Sequence, residues 1–179
     1  MPRSTAGHQA PVYLLVCGSP ELSDGAAGPT AAAAALADLR AAGAGSRVRV
    51  IRCLAPQLGH LLAVPTGSAL VIADAAIGGR PGEIVRRTLD ELIDDPNGPR
   101  PSSAVAAPID QLLGMANVIG EQPLSGFFVG VVGEQFGPRR GLSPAVRAAL
   151  RDYAAALAEV VAGLAGKNPS AEALAIAAR

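Results

Sequence analysis

The chain has 179 residues, half of them hydrophobic, and its 15 basic residues balance 15 acidic ones. This composition can bury the core of one domain, and it gives no electrostatic case for binding nucleic acid or an anionic membrane. No apolar run approaches the roughly 20 residues that span a bilayer, and residues 1–10 lack the apolar core of a signal peptide. We therefore expect a cytoplasmic protein whose partners are proteins or small ligands.

The first expected element is a buried strand, because residues 12–16 form an unbroken apolar run. Residues 17–29, which contain three glycines and two prolines, lead from this strand into an alanine-rich helical segment at residues 30–42. In open α/β sheets, ligands bind at the edge formed by such strand-to-helix loops. Residues 17–29 are therefore the first place where a functional site is expected.

The middle of the chain alternates strand and helix patterns. Alternating charged and apolar residues predict a strand nearer a sheet edge at residues 47–51, and residues 56–62 suit a short helix. A second apolar run, residues 68–73, predicts a buried strand that ends at Asp74. After a Gly-rich turn, residues 83–87 read as a short strand that pairs antiparallel at an edge.

The C-terminal part begins with the most loop-like segment, residues 94–103, followed by a helix with one apolar face. A third buried strand is expected at residues 126–132. Ser143 is predicted to cap the final helix, with Pro144 in its first position, because apolar residues then recur every three or four positions as far as Gly166.

This order of elements predicts an α/β fold with a mostly parallel, mixed central sheet of about five strands. We expect one domain over residues 1–166, with flexible tails at residues 1–10 and 167–179. Parallel strands place their carboxyl ends at one edge of the sheet. Four chemically interesting residues should lie near that edge: Cys17, Asp24, Cys53 and Asp74.

Asp74 is a candidate for chemistry, because a carboxylate at the end of a buried strand can be a metal ligand or general base. Alternatively, it caps the next turn. Cys17 and Cys53 each end a predicted strand, and two thiols with a carboxylate can bind a soft or borderline metal. The alternative is that both thiols are buried and inert, since Cys is among the most buried residue types.

Other common signatures are missing from the sequence. The two histidines, His8 and His60, have no second ligand nearby at metal-binding spacing. There is no G-x-S-x-G elbow, Walker sequence or C-x-x-C pair, and the glycines of residues 18–28 are too widely spaced for a dinucleotide fingerprint. Two cysteines without a secretory signal argue against a disulfide framework. The abundance of Ala, Gly, Pro and Arg is typical of a GC-rich bacterial genome.

Four stretches resemble the motifs of one protein family. Residues 18–29, GSPELSDGAAGP, are similar to G-N-P-x-x-x-D-[DE]-G-x-G-P after a first strand. Residues 73–75, ADA, and 79–82, GRPG, are similar to a V-D-A strand end and a following G-x-P-G turn. Residues 129–144, VGVVGEQFGPRRGLSP, are similar without a gap to V-G-V-x-P-E-x-x-x-P-x-x-G-L-[ST]-P. Over residues 12–164 the chain thus resembles the maturation endopeptidases of nickel-iron hydrogenases.

The resemblance implies a three-layer α/β/α sandwich with a mixed sheet. It also implies a function, which is to bind the hydrogenase large subunit after nickel insertion and to remove a short C-terminal extension. Nickel in that substrate is recognised by two acidic side chains and a histidine. The resemblance therefore implies no tightly bound cofactor, since the nickel belongs to the substrate.

Carried over residue by residue, the three nickel-recognising positions fall on Asp74, Gly25 and Val105. Gly and Val side chains cannot coordinate a metal. Asp24 can replace Gly25 only through a one-residue slip that sacrifices the following Gly-Pro match. Glu21 is another nearby oxygen donor, although the family has an apolar residue there.

Two functions therefore remain open from the sequence. One is a relative with impaired or absent peptidase activity that still recognises the hydrogenase large subunit during processing or assembly, because a single carboxylate is too few ligands for strong metal binding. Its partner-binding loop would include Gly18, Ser19, Pro20 and Gly28. The other is an active processing endopeptidase in which Asp74 and Asp24 recognise nickel.

Overall fold

The computed structural model describes residues 10–104, 107–138 and 141–166. The strands of these ranges are β1 (Val12–Cys17), β2 (Val48–Cys53), β3 (Ala69–Ile77), β4 (Ile84–Thr88), β5 (Arg100–Pro101) and β6 (Ser125–Val132). The α-helices are α1 (Ala27–Ala41), α2 (Leu58–Leu62), α3 (Leu89–Asp94), α4 (Ile109–Ile119) and α5 (Pro144–Gly166).

All six strands belong to one sheet. Five of them follow the order β2-β1-β3-β6-β4, and β5 pairs with the end of β3. The contacts between β2, β1, β3 and β6 are parallel, whereas β4 runs antiparallel to β6 and β5 antiparallel to β3. The predicted mixed, mostly parallel sheet, with an antiparallel edge strand after residue 83, is confirmed.

Helices cover both faces of the sheet, as in a three-layer α/β/α sandwich. On one face, α1 and α5 pack with residues such as Val71 and Phe127 in one buried cluster. On the other face, α2, α3 and α4 pack with residues such as Ile72 and Phe128. Neighbouring residues of β3 and β6 therefore serve opposite cores, which explains why these strands are apolar throughout rather than alternating.

The final helix begins as its local sequence predicts. Pro144 is its first residue, and the Ser143 hydroxyl accepts a 3.4 Å hydrogen bond from the Val146 N–H. Because proline lacks the N–H that a first helical turn leaves unpaired, the Ser-Pro pair fixes the start of α5. None of the helices in the described ranges is both long and apolar enough to cross a membrane.

Several element boundaries differ from the prediction. The strand expected to end at residue 73 continues to Ile77, because residues 74–76 remain paired with β6. The first α-helix begins at Ala27 and follows a 3-10 turn, Ser23–Ala26. Helix α2 is shorter than predicted. Both predicted tails fall mainly on residues 1–9 and 167–179, which lie outside the described ranges.

Helix α3 was not predicted, although its start has a recognisable sequence signal. The Thr88 hydroxyl accepts a 3.1 Å hydrogen bond from the Glu91 N–H, and the Glu91 carboxylate accepts one of 2.6 Å from the Thr88 N–H. This reciprocal pair is a capping box, which the Thr-x-x-Glu spacing indicates. The helix carries Leu89 and Leu92 into the core.

Candidate functional site at the carboxyl edge of the sheet

Three candidate residues lie side by side on adjacent strands. Cys17 of β1 is paired with Cys53 of β2, and Val16 is paired with Ala73 of β3, one residue before Asp74. Because side chains alternate along a strand, Asp74 shares a sheet face with Ile72, in the core cluster that also contains Cys17. We call Cys53, Cys17 and Asp74 the edge row.

Asp74 is fully buried, and its two carboxylate oxygens differ. Oδ2 accepts hydrogen bonds from the backbone N–H of Ser103 at 2.9 Å and from the Ser103 hydroxyl at 2.6 Å. Oδ1 is buried without a hydrogen-bond partner. The carboxylate therefore holds the segment before α4 rather than capping the turn that follows β3. The sequence pattern predicted Asp74 at the carboxyl tip of its strand, but Asp74 lies inside β3, three residues before the strand ends at Ile77.

The environment of Asp74 favours its neutral form. Burial raises the pKa of this carboxyl to about 6, although the hydrogen bonds from Ser103 act in the opposite direction. On the other face of the sheet, the buried Tyr153 hydroxyl donates to the backbone oxygens of Asp74 at 2.9 Å and Val129 at 3.1 Å. Tyr153 therefore fixes the backbone that carries Asp74.

The two thiols of the edge row contact each other. The sulfur atoms of Cys17 and Cys53 are 3.5 Å apart; Cys17 is buried, and Cys53 is half-buried. The shared hydrogen bond, burial and nearby Asp74 raise the pKa of Cys17, whereas the same hydrogen bond lowers the pKa of Cys53. Within the described part of the chain, no group of three His, Cys, Asp or Glu side chains is arranged to hold a metal ion.

Asp24 has a different role, because its carboxylate joins two loops. Oδ2 accepts hydrogen bonds from the backbone N–H groups of Glu134 at 2.9 Å and Gln135 at 3.0 Å, and Oδ1 accepts one from Ser143 at 2.7 Å. Burial alone would raise the pKa of Asp24, but these N–H groups outweigh it and lower the pKa. Both oxygens of the proposed alternative metal ligand are thus engaged with the backbone.

Two further contacts complete the junction between these loops. The Asp24 N–H donates to the Gln135 carbonyl at 2.9 Å, and the Ser23 hydroxyl donates to the Gly141 carbonyl at 3.1 Å. Ser23 adopts a left-handed φ of 37°, an uncommon conformation for a residue with a side chain. We call residues 18–26 the first edge loop and residues 133–143 the second edge loop. Residues 139 and 140 of the second loop lie outside the described ranges.

The glycines of the first edge loop have unequal roles. Gly18 has a φ of +110°, and a Cβ atom there would lie 2.1 Å from the Gly25 carbonyl oxygen. At Gly28 a Cβ atom would lie 2.6 Å from the Cys17 carbonyl oxygen, so this glycine lets α1 pack directly on the sheet. At Gly25 the nearest atom would be Leu22 Cβ at 3.1 Å. A side chain at Gly25 therefore requires only a small adjustment.

The remaining candidates make only local hydrogen bonds, are exposed, or lie outside the described residues. Ser19 accepts a 3.3 Å hydrogen bond from the Glu21 N–H, and Pro20 and Glu21 are exposed. His60 Nδ1 accepts a 3.2 Å hydrogen bond from the Gln57 N–H at the start of α2. Val105 and His8 lie outside the described ranges.

A cavity of about 370 Å³ lies at the opposite edge of the sheet. Its lining includes Ser68 and Ser125, which mark the amino ends of β3 and β6, and it includes no residue of the edge row. In open α/β sheets the ligand-binding edge is the carboxyl one, so we place the candidate site at the edge row and not in this cavity.

No family model matches the sequence, and no curated protein matches it. Solved structures do match. The [NiFe] hydrogenase maturation protease HybD from Thermococcus kodakarensis superposes with a TM-score of 0.62 and 20% identity, over 84% of this chain and 99% of that one. The maturating endopeptidase HybD from E. coli gives 0.59 and 20% over 82% and 89%, and the E. coli endopeptidase HycI gives 0.57 and 22% over 84% and 90%.

This chain has the fold of the hydrogenase maturation proteases. The predicted three-layer architecture is therefore confirmed against solved proteins as well as by its own topology. The likeness covers 82–84% of this chain. Because the identities are only 20–22%, it shows the fold, and the chemistry is argued from this chain's own residues.

Proposed function

We propose that this chain is a hydrogenase maturation protease-like protein that recognises the large subunit of a nickel-iron hydrogenase during C-terminal processing or assembly, with impaired or absent peptidase activity. The observation that carries the proposal is the junction at Asp24. It joins the two loops that carry most of the motif resemblance into one surface, on a fold shared with solved maturation proteases. The proposal includes the cytoplasmic, bacterial setting that the sequence predicts.

The partner would bind at this surface through exposed apolar side chains. Leu22 lies in the first edge loop, Phe136 in the second, and Leu54 directly follows β2, where its carbonyl accepts a 3.2 Å hydrogen bond from Gly18. Leu54 is the most exposed of the three, at 72%. Apolar side chains on a framework of hydrogen-bonded backbone suit an extended or helical protein segment better than a small polar ligand.

Peptidase activity would be impaired because the two buried carboxylates at this edge, Asp24 and Asp74, hold the fold together. Both Asp24 oxygens accept backbone hydrogen bonds, and one Asp74 oxygen accepts two from Ser103. Gly25 has no side chain. Of the four carboxylate oxygens of Asp24 and Asp74, the one without a hydrogen bond is Oδ1 of Asp74, and one oxygen is a weak, unselective ligand set.

The alternative is an active processing endopeptidase that recognises nickel through Asp74 with Asp24. The orphaned Oδ1 of buried Asp74 favours this alternative, because a bound cation would satisfy an atom that otherwise lacks a partner. This activity requires Asp24 to exchange at least one backbone hydrogen bond for the metal, at the expense of the junction between the edge loops.

Binding is tested first. Purified protein is immobilised, and association of a nickel-loaded large-subunit precursor is followed by biolayer interferometry. We expect binding that Leu54→Glu weakens at least tenfold. The matched control is Val118→Glu. Val118 is a similarly exposed apolar residue (80%), and it lies near the end of α4, beside the cavity at the opposite edge of the sheet. Equal effects of both substitutions, or no binding to any precursor from the same source, would overturn the proposed partner.

Cleavage is tested separately by measuring the intact mass of the precursor after incubation. An unchanged C-terminus beside measurable binding supports a recognition role without peptidase activity. Loss of the C-terminal extension that Asp74→Asn abolishes would establish the endopeptidase instead. Asp90→Asn, a change at an exposed position of α3, is the control for nonspecific effects of removing a carboxylate.

A further inference from the structure

The two cysteines have the geometry of an unformed disulfide. They are the only cysteines of the 179-residue chain, and each is the last residue of its strand. Neighbouring strands lie about 4.8 Å apart, inside the roughly 4.4–6.8 Å range of Cα separations in disulfides. With the sulfur atoms already 3.5 Å apart, bond formation requires an approach of ~1.5 Å.

The surroundings give the two thiols different access. Cys17 is completely buried, whereas Cys53 is half-buried and is followed by the exposed Leu54. A small oxidant reaches Cys53 first, and Cys17 is then the neighbouring thiol that can react with the product. The backbones stay joined just past both cysteines, because the Gly18 N–H donates to the Cys53 and Leu54 carbonyls, so bond formation needs only a small movement of the two side chains.

We propose that Cys17 and Cys53 form a redox-active dithiol that hydrogen peroxide converts reversibly into a disulfide. In the first step the Cys53 sulfur attacks a peroxide oxygen, the O–O bond breaks, and the thiol proton leaves with the departing oxygen as water. In the second step the Cys17 sulfur attacks the Cys53 sulfenic acid, the S–O bond breaks, and the Cys17 proton leaves in a second water. Two thiols are oxidised and one peroxide is reduced.

The disulfide would link β1 to β2 at the base of the first edge loop. Gly18 follows Cys17 directly, and its N–H donates to the Cys53 and Leu54 carbonyls at 3.2 Å. The new covalent link therefore lies where the loop leaves the sheet. Oxidation also removes both thiols from the edge row beside Asp74. A dithiol reductant reverses the reaction by exchange, with its own two thiols becoming the disulfide.

The test uses the full chain, reduced with dithiothreitol and then freed of it. After treatment with hydrogen peroxide, remaining thiols are alkylated with iodoacetamide and the intact mass is measured. We expect a monomer that has lost two hydrogen atoms and carries no alkyl group, and that regains two alkylation sites after reduction. Two alkylated thiols, oxygen addition without a disulfide, or a disulfide-linked dimer would each overturn the proposal.

Single variants test the order of the two steps. In Cys17→Ser the peroxide should leave a sulfenic acid on Cys53, which dimedone traps as a covalent adduct. In Cys53→Ser the buried Cys17 should give at least tenfold less adduct in the same time. Circular dichroism and a thermal melt show whether each variant is folded. The mass measurement on the wild-type protein does not depend on the variants. Equal trapping in two folded variants would refute the assignment of Cys53 as the attacking thiol.

Discussion

The Oδ1 atom of Asp24 accepts a 2.7 Å hydrogen bond from the backbone N–H of Ser143, the residue that caps α5. The bond spans 119 residues of sequence and connects the loop after the first strand to the start of the last helix. Together with the bonds from Glu134 and Gln135, it makes one buried carboxylate the organiser of both edge loops. The two motif-bearing stretches therefore depend on each other for their conformation.

Replacing Asp24 should strongly destabilise the protein. Asp24→Ala leaves three backbone N–H groups without their partner, and we expect the free energy of unfolding to fall by about 3 kcal/mol or more. Chemical denaturation gives this quantity. The control is Asp152→Asn on the exposed side of α5, which should change stability by less than about 0.5 kcal/mol. A loss equal to the control would show that the bonds to Asp24 contribute little.

The two buried carboxyls should give opposite pH dependences. The pKa of Asp24 is lowered in the folded state, so its stabilisation is complete above the ordinary value of about 3.9 and is lost as pH falls through the folded pKa. The pKa of Asp74 is raised to about 6, so its contribution is complete below about pH 3.9 and is lost as pH rises through 6.

The two pH dependences are measured by chemical denaturation at a series of pH values between 3 and 7, an interval that includes the ordinary carboxyl pKa of about 4. Asp74→Asn should remove a fall in stability of up to about 3 kcal/mol between pH 4 and 6. Asp24→Asn should instead remove a loss of stability at the acid end. Parallel curves for wild type and Asp74→Asn would contradict the raised pKa.

Tyr153→Phe tests the support behind Asp74. The substitution removes the hydroxyl that donates to the Asp74 and Val129 carbonyls, both in the interior of the sheet. We expect a loss of about 1–3 kcal/mol, since the carbonyls lose a buried donor. Tyr13→Phe, at a half-buried tyrosine packed beside the other core, should cost less. Chemical denaturation gives the loss in unfolding free energy for each variant. Equal losses for Tyr153→Phe and Tyr13→Phe would contradict the claim that the Tyr153 hydroxyl supports the backbone at Asp74.

Gly28→Ala tests the close approach of α1 to the sheet. The added Cβ would lie 2.6 Å from the Cys17 oxygen and 3.0 Å from the Ala73 oxygen, and both are backbone atoms that cannot rotate away. We expect a destabilisation of about 1–3 kcal/mol. Gly163→Ala in α5 is a control of opposite sign, because its Cβ meets no atom within 4 Å and alanine stabilises a helix by up to about 1 kcal/mol. Similar effects at both positions would contradict this packing argument.

The sequence predicted those parts of the fold that local patterns specify. Strands β1, β3 and β6 were predictable because each is an apolar run, and the start of α5 because Ser143 and Pro144 are adjacent. The full length of β3 was not predictable, since pairing with β6 rather than composition carries it past Asp74.

The chemistry of the site was less predictable, because it depends on distant contacts. Ser103 contacts Asp74 from 29 residues away, and no spacing in the sequence indicates this pair. Asp24 was recognisable as a motif residue, but its partners lie 110 to 119 residues further along the chain. The placement of Cys17 and Cys53 at one edge was predictable from the strand ends, whereas their direct contact depends on the register of β1 and β2.

The last prediction concerns metal binding. With Asp74 as the retained position of three, the unmodified chain should bind Ni²⁺ or Zn²⁺ weakly, and replacing Gly25 by Glu and Val105 by His should strengthen binding at least tenfold. At Gly25 the φ is not left-handed, and an added Cβ would lie 3.1 Å from Leu22 Cβ, so the substitution requires Leu22 to shift by a few tenths of an ångström. Isothermal titration calorimetry on the unmodified, singly and doubly substituted proteins measures the affinities.

Two controls separate a rebuilt site from an added charge. Gly114→Glu on α4, where a Cβ atom meets nothing within 4 Å, adds the same carboxylate away from the edge row and should leave affinity unchanged. Asp74→Asn in the doubly substituted protein should return binding to the weak level, because the amide is a much poorer metal ligand than the carboxylate. Tight stoichiometric binding by the unmodified chain, lost in Cys17→Ser or Cys53→Ser, would instead show that the two thiols supply the ligands.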